Sequence, residues 1–505
     1  MHARKPLLIA VFRGPTAMRR ANTLEGSYMN MVMRLRKRAV VSAVLAMSVG
    51  LSAQAARAET IDIGIGTQNT TTNTVTGGIV LKELGLLEKH LPKTGKYKDV
   101  KYNISWQNAT SGPPITNGMM ANNIQIGMMG DYPLLVNGAT GQATGNETQL
   151  VAIIAYNQFG GGNGIVVHKD SPFFELGDLK GKQVSVPFGS AAHGMMLAAL
   201  QKRGLPNDFW NLVSQSPEVG STNLQEKRID AHGDFVPFAE LLPFRGYARK
   251  IFDGAETKVP TFHGVVIRKD FGEKYPEIVD GYIAALMEAN DWMRKNPKLA
   301  AEKIEEWTKI NKEVVYIFLG PGGVHTLDPT IKPQWVEAMK GDVGVLQKLN
   351  MIKPINLDAW VNDKYVRERF KQAGLDYDAQ KASLTGYDVT GTDPVCKVAI
   401  TNPKEAGQVW VKDGDIISYS SPACTLEGIR QLTAAGKKLN AAYLVDHELG
   451  IKVFADMAYY SIATKDGKTQ IVPFLLKNTA KDFADKNGGK LATYEEALNS
   501  LGASR

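Results

Sequence analysis

Two cysteines carry the most specific chemistry in this chain. Cys396 and Cys424 stand 28 residues apart and are the whole cysteine content of its 505 residues. In an exported protein such a pair favours a disulfide. As thiolates the same pair binds Cu(I) or Zn(II), with a thioether or an imidazole completing the ligand set. Met457 and His447 are the candidates for those further ligands. Spacing alone does not separate the two chemistries.

A second set of polar residues gathers at expected strand ends. The run TQNTTTNT at 67–74 places Thr67, Gln68 and Asn69 after the first strand. Ser111-Gly112 follows a second strand and opens a helix, and Gly130-Asp131-Tyr132-Pro133 follows a strand at 124–129. Gly189-Ser190-Ala191-Ala192-His193 follows a strand at 183–186 and opens another helix, and Asp234-Phe235 lies just before Pro237. In open α/β sheets ligands sit beyond the carboxyl ends of strands, near helix N-termini. Free N–H groups and the helix dipole favour an anion there. Singly, each of these segments reads as an ordinary turn or cap; the set is more specific than its members. Trp106, Tyr132, Phe159 and Phe235 either wall a ligand tail or fill the core. The methionine pairs 119/120, 128/129 and 195/196 read as packing residues. His193, His232 and His263 lie on three separate segments, so a shared metal site does not follow from sequence.

The elements that must position these residues alternate between strands and helices from about 59 to 387. Strands are expected at 60–66, 100–106, 124–129, 151–155, 164–168 and 183–186, and helices at 76–91, 191–203, 274–296 and 297–310. That alternation argues an α/β domain with mainly parallel sheets. A turn-rich linker, GYDVTGTD at 386–393, precedes a change of texture to hairpin-like strands at 408–412 and 416–419. Residues 388–505 then form a second, smaller α+β domain.

The whole chain is basic, with 59 Lys+Arg against 51 Asp+Glu and a net charge of +8. The first 58 residues hold ten Lys/Arg and one Glu, so they carry +9 and leave the remainder near −1. That segment has Arg34, Arg36, Lys37 and Arg38, then an apolar run at 39–51, then Ala56-Arg57-Ala58. It reads as a secretory signal peptide cleaved after Ala58, with Met29, Met31 or Met33 as alternative starts. The expected compartment is the periplasm, and a nucleic-acid partner loses its electrostatic basis. No stretch after the leader is apolar enough to span a bilayer. There is no P-loop, dinucleotide fingerprint or Ser/His/Asp arrangement in convincing context, so no catalytic residue is assigned.

Residues 60–380 resemble the periplasmic substrate-binding proteins of ABC importers for nitrate, taurine and aliphatic sulfonates. The resembling blocks are SGPPITNGMMANNIQIGMMGDYPLL at 111–135, LGDLKGKQVSVPFGSAAHGMMLAALQKRGL at 176–205 and DAHGDFVPF at 230–238. The resemblance implies a type II periplasmic-binding fold, with one lobe from about 60–155 and 260–385 and the other from about 156–258. Chain crossings near 154–157 and 260–263 would form the hinge, adding Asn157 and His263 to the expected ligand site. The implied partners are a small oxyanion or sulfonate and an inner-membrane ABC permease, for a monomeric binder that does no chemistry. An enzyme of the pyrimidine-precursor synthase kind would need a cysteine-rich motif in the lobes, and the first 395 residues have none.

Residues of about 391–503 resemble the NosL-like copper accessory proteins of nitrous oxide reductase. The matching segments are VKDGDIISYSSPACTLEGIRQL at 411–432, AAYLVDHELG at 441–450, ADMAYYSIATKDG at 455–467 and VPFLLKNTAKDFADKNGGKLATYEEAL at 472–498. The opening DPVC also resembles YHS/TRASH metal-binding domains. The resemblance implies Cu(I) as cofactor, and a copper chaperone or metal-complex binder is the alternative function. Where that family has Cys-Gly-Met, this chain has Cys396-Lys397-Val398, so the thioether beside the first cysteine is missing.

Overall fold

Burial of Ile61, Ile63 and Ile65 starts the first sheet. Strand Thr60–Thr67 is exposed on alternate residues only at its start and buried on both faces after Gly64. A computed structural model describes residues 59–384, 386–465 and 468–501. The expected leader and its cleavage after Ala58 lie outside the described residues.

The first sheet runs, edge to edge, Thr326–Leu327, Thr148–Asn157, Thr261–Arg268, Ile126–Gly130, Thr60–Thr67 and Lys101–Asn108. The second runs Asn211–Ser214, Gln183–Val186, Ala231–Asp234, Gly164–His168 and Ala248–Asp253. The chain passes between the sheets at 158–163 and returns at 254–260. Below, lobe 1 denotes the part around the first sheet and lobe 2 the part around the second.

The sheets are mixed, which corrects the expectation of mainly parallel ones. Thr60–Thr67 is parallel to both neighbours, and so is Gln183–Val186. Thr261–Arg268 and Gly164–His168 are antiparallel to both of theirs. The reason is connectivity. A strand that hands on to a helix or to the other lobe ends at the edge facing that lobe, whereas a strand arriving from the other lobe starts there.

The helix expected over 76–91 is three short pieces, Thr72–Gly77, Ile79–Glu83 and Leu86–His90. Gly85 at φ 64 interrupts it, in the left-handed region that glycine enters without steric cost. The turn expected at 130–133 opens directly into helix Asp131–Thr144, with Asp131 in the first turn, where the dipole favours a carboxylate.

The C-terminal region is α+β. One antiparallel sheet runs Ile416–Tyr419, Gly407–Val411, Leu439–Val445 and Lys452–Phe454. Another runs Lys468–Phe474, Tyr459–Lys465 and Lys490–Ala492. Helices Pro422–Ala434, Lys477–Lys486 and Tyr494–Ser500 accompany them. This region touches both lobes, and from Thr60 onward the chain packs as one unit. On lobe 1, the ring of Tyr316 meets Trp410 at 5.5 Å and Tyr443 at 5.4 Å. The Tyr443 hydroxyl donates to the Glu313 carbonyl at 3.1 Å. Buried Lys452 donates to Gln408 Oε1 at 2.8 Å and to the Pro321 carbonyl. On lobe 2, Phe454 meets Phe244 at 5.0 Å and Asn478 donates to Glu175 at 3.3 Å. Among the described residues, no helix is long and apolar enough to cross a membrane.

Candidate functional site

The two lobes meet along a seam between helices Asp131–Thr144 of lobe 1 and Ala191–Lys202 of lobe 2. Glycines permit the approach. A Cβ on Gly130 would lie 3.2 Å from Ala191, and one on Gly194 would lie 2.2 Å from the Tyr132 ring. The seam encloses about 20 Å³, room for about one water. Asp131, Tyr132, Asn163, Ala191 and Thr261 line it, and no Lys or Arg does. Outside, Tyr132, Lys258 and Pro260 also border a wider groove of about 520 Å³.

A hydrogen-bonded line crosses the seam. Asn163 Nδ2 donates to Thr261 Oγ1 at 3.3 Å, and Thr261 Oγ1 donates to Asp131 Oδ2 at 2.6 Å. Burial raises the Asp131 carboxyl above its ordinary value, outweighing the bonds from Thr261 and the Tyr132 N–H. Behind it, Asn73 Nδ2 lies 3.2 Å from His263 Nδ1. Burial pushes the His263 imidazole down to about 3, so it is neutral at pH 7. Neighbouring His325 is 4% exposed, and burial drives it well down, with His263 adding to the effect. Both ring nitrogens of His325 and the Asn163 Oδ1 are buried without a hydrogen-bond partner. His325 fits because Gly162, at φ 105, has no Cβ; one there would come within 2.5 Å of its Cε1.

The sequence-derived residues divide between the seam and its scaffold. Asp131, Tyr132, Ala191 and His263 belong to the seam, and Ser190 caps the helix that forms it. Ser190 Oγ accepts from the His193 N–H at 3.3 Å, while His193 Nδ1 accepts from the Gly189 N–H and its ring stacks on Phe188. Burial lowers the His193 imidazole. Thr67 and Gln68 are buried, with Gln68 Oε1 accepting from Thr71, and the Asn69 N–H donates to Asn108. Ser111 starts helix Gly112–Met120 without a side-chain cap, and Gly112 sits against Pro133. Asn157 binds the crossing segment, donating to the Val324 carbonyl and accepting from the Phe159 and Gly161 N–H groups. Asp234 is fully buried and bound to His232 Nε2 at 2.8 Å, and Phe235 packs edge-on to Phe238. Trp106 is half-buried and Phe159 is exposed.

Asn73, Asn163, Thr261 and His325 were not singled out by sequence. The signals available were the polar run 67–74 for Asn73 and the Gly322-Gly323 pair two residues before His325.

In the C-terminal region, Cys396 and Cys424 are joined in a disulfide with Cα atoms 6.0 Å apart. Asp393 completes a compact group with them. Its carboxylate accepts the N–H groups of Val395, Cys396 and Ser420 and the Ser420 hydroxyl. Burial alone would raise that carboxyl, but these bonds outweigh it and hold it below its ordinary value. Cys424 lies in the first turn of helix Pro422–Ala434, whose cap, Ser421, accepts its N–H. His447 stands apart from this group, packed against Phe474 and Phe483, and Met457 faces lobe 2.

Two α/β lobes joined by two crossings, closing on a polar seam, with a smaller α+β region attached, define a type II periplasmic-binding fold. The alkanesulfonate-binding protein SsuA of Xanthomonas axonopodis pv. citri, solved bound to MOPS, superposes with a TM-score of 0.51 at 19% identity. That match covers 60% of this chain and 99% of the other. The family described as "NMT1/THI5 like" matches residues 137–300. The taurine-binding periplasmic protein of Escherichia coli is 28% identical over 211 residues, 41% of this chain. The match spans 62% of that relative's own length.

Proposed function

We propose that the protein is the periplasmic solute-binding component of an ABC importer, capturing a small oxyanion or sulfonate between its lobes and delivering it to a membrane permease. The observation that carries this reading is the seam: Asn163, Thr261 and Asp131 form a buried hydrogen-bonded line where the two lobes meet, with the neutral imidazole of His263 packed against Gly130 behind it. Relatives described as binding taurine and an alkanesulfonate support the ligand class. With no Lys or Arg lining the seam, the anion is held by neutral donors and helix N-termini, beside Asp131 and Asp342, whose carboxyls burial raises towards the protonated form. The 20 Å³ seam is too small for a sulfonate, so the lobes open to admit one, and tighter binding to the closed state drives closure. The protein is a binder and no residue acts catalytically. We place the lobes within 59–387, the NosL-like region at 388–505 and export to the periplasm.

Calorimetry and thermal melts with taurine, ethanesulfonate and nitrate test this. At least one is expected to raise the melting temperature, and the Asn73→Ala, His263→Ala double variant to lose the response. If none of these anions stabilises the protein, the anion reading fails.

The group Asp393, Cys396 and Cys424 favours a second reading for the C-terminal region, copper binding after reduction. A helix N-terminus stabilises a thiolate at Cys424. Anaerobic Cu(I) titration of the reduced protein is expected to show one site that Cys396→Ser and Cys424→Ser each weaken. Affinity unchanged from wild type in both variants would sink it.

A further inference from the structure

A second cavity, of about 680 Å³, opens where lobe 2 meets the C-terminal region. That volume lies within the range of sites for small organic ligands. Its walls come from three parts of the chain: Ala239 and Arg249 of lobe 2, Ile317 of lobe 1, and Phe454, Met457 and Tyr459 of the C-terminal region. None of these parts encloses it alone. The joining of the C-terminal region to the lobes therefore creates a pocket that neither has separately.

The charges around it are mostly spent. Lys250 is buried and shared by Glu240 and Asp253. Burial holds the Glu240 carboxyl up at about 7, which lets that trio reach neutrality by keeping a proton, and Glu240 Oε2 is buried without a partner. Lys452 is committed to Gln408 and the Pro321 carbonyl, and Lys169 pairs with Asp170 at 2.7 Å. Asp456 and Glu495 are exposed at the rim. Arg249 is different. Its guanidinium is half-buried, donates to the Ser171 carbonyl at 2.8 Å and lies 3.9 Å over the Phe174 ring. Among the described residues no carboxylate is in salt-bridge contact with it; the Asp178 carboxylate acts on it only through its field, as does its neighbour, the phenol of Tyr459. A partly desolvated guanidinium with donors to spare is a site for a carboxylate or sulfonate.

We propose that this cavity is a second binding site, for a small amphipathic acid. Its apolar body lies against Phe454, Met457 and Ile317, and its single anionic group meets the Arg249 guanidinium beside the Tyr459 hydroxyl. A compact anion without a tail leaves the apolar walls uncovered, and an amine meets the wrong charge at Arg249, with Asp456 and Glu495 only at the rim. The site does not depend on what the interlobe seam binds.

The full exported protein is titrated with the fluorescent acid anilinonaphthalene sulfonate, then challenged with decanoate, decanol and decylammonium. Decanoate is expected to displace the probe at least about tenfold more effectively than either of the others, the worth of a charge-assisted hydrogen bond. Arg249→Gln is expected to erase that preference, and Met457→Trp, which fills the cavity from a half-exposed position, to remove probe binding. Near-UV dichroism and the melting temperature of each variant show whether it is folded. Probe bound in the lobe seam instead would be lost in Gly194→Leu and retained in Met457→Trp, which overturns the proposal. So would equal displacement by decanoate and decylammonium, or an unchanged preference in folded Arg249→Gln.

Discussion

The seam between the lobes and the cavity beneath the C-terminal region are both built where separate parts of the chain meet, yet they are opposite in kind. The seam sets Asp131, Asn163, Thr257 and Thr261 among small and apolar neighbours, narrows to about 20 Å³ and depends on glycine contacts that let two helices approach. The junction cavity is walled mainly by apolar side chains, holds about 680 Å³, and is framed by aromatic packing and a buried lysine that tie its walls together. On the proposed function the first changes shape with ligand, while the second is framed by packing of the C-terminal region on both lobes. The difference teaches that closure and volume are separate design problems. A seam that must open can afford few apolar contacts, whereas a pocket beside a permanent interface is stabilised by them.

The strongest test of the contrast is Gly194→Leu. A side chain there would enter the Tyr132 ring, so the lobes stop short of closure while each lobe keeps its own core. Affinity for the interlobe anion is expected to fall at least about a hundredfold, because the closed state supplies most of the binding energy. Decanoate affinity at the junction should change far less, because Arg249, Phe454, Met457 and Tyr459 keep most of its walls. Equal anion affinity in the variant would show that the seam does not close on ligand.

Phe454→Ala probes the other side. Phe454 is buried, and its ring meets Phe244 of lobe 2 and Tyr443 of its own region. Truncation is expected to cost about 3 kcal/mol, measured by urea unfolding. Because the C-terminal region touches both lobes, the same variant should speed lobe opening, read as a faster anion off-rate. An unchanged off-rate would mean that the hinge moves independently of this contact.

Much of the seam was legible in the sequence because strand-end loops follow a rule: glycine and polar residues mark where a strand hands over to a helix. Asp131 and Ser190 emerged that way, whereas His263 came from the hinge that the family resemblance implies. His325 did not, because it follows a glycine pair in an irregular stretch, and only the fold brings it beside His263. Strand direction was misjudged for a related reason, since alternation of strands and helices says nothing of a strand that enters from another lobe. The junction cavity left no local signal at all. Arg249 and Tyr459 are 210 positions apart, and each looks like an ordinary strand residue. The pairing of Cys396 with Cys424 was one of the readings that spacing left open, beside metal ligation and free thiols, and the structure records the oxidised one.

Lys452 gives the junction a pH dependence of the same sign as the seam's, in a separate pH window. Burial lowers its ammonium to about 7, whereas in the unfolded chain it titrates near 10.4. Between these values the unfolded state holds more protons, so stability rises with pH, by at most about 1.4 kcal/mol per pH unit. His263 acts at the acid end. Its imidazole is held down at about 3, so stability falls as pH drops from about 6.5 towards 3. Lys452→Met should flatten the alkaline slope of urea unfolding and leave the acid slope intact, and His263→Asn the reverse. Matching slopes in wild type and Lys452→Met would mean that the lysine is charged in the folded protein.

Ser190 is the smallest and most discriminating case, because two roles fall on one hydroxyl. As cap of helix Ala191–Lys202 its oxygen accepts the His193 N–H, which leaves its own hydrogen free to donate. Ser190→Ala removes both functions and is expected to cost about 1 kcal/mol of stability. Ser190→Gly keeps a tolerable cap and should cost only about a few tenths of a kcal/mol. If the hydroxyl donates to the captured anion, both variants lose affinity by the same severalfold factor despite their different stabilities. If affinity instead follows stability, with Ser190→Gly binding like wild type, the serine only shapes the helix end and the anion is held by backbone N–H groups and the imidazoles.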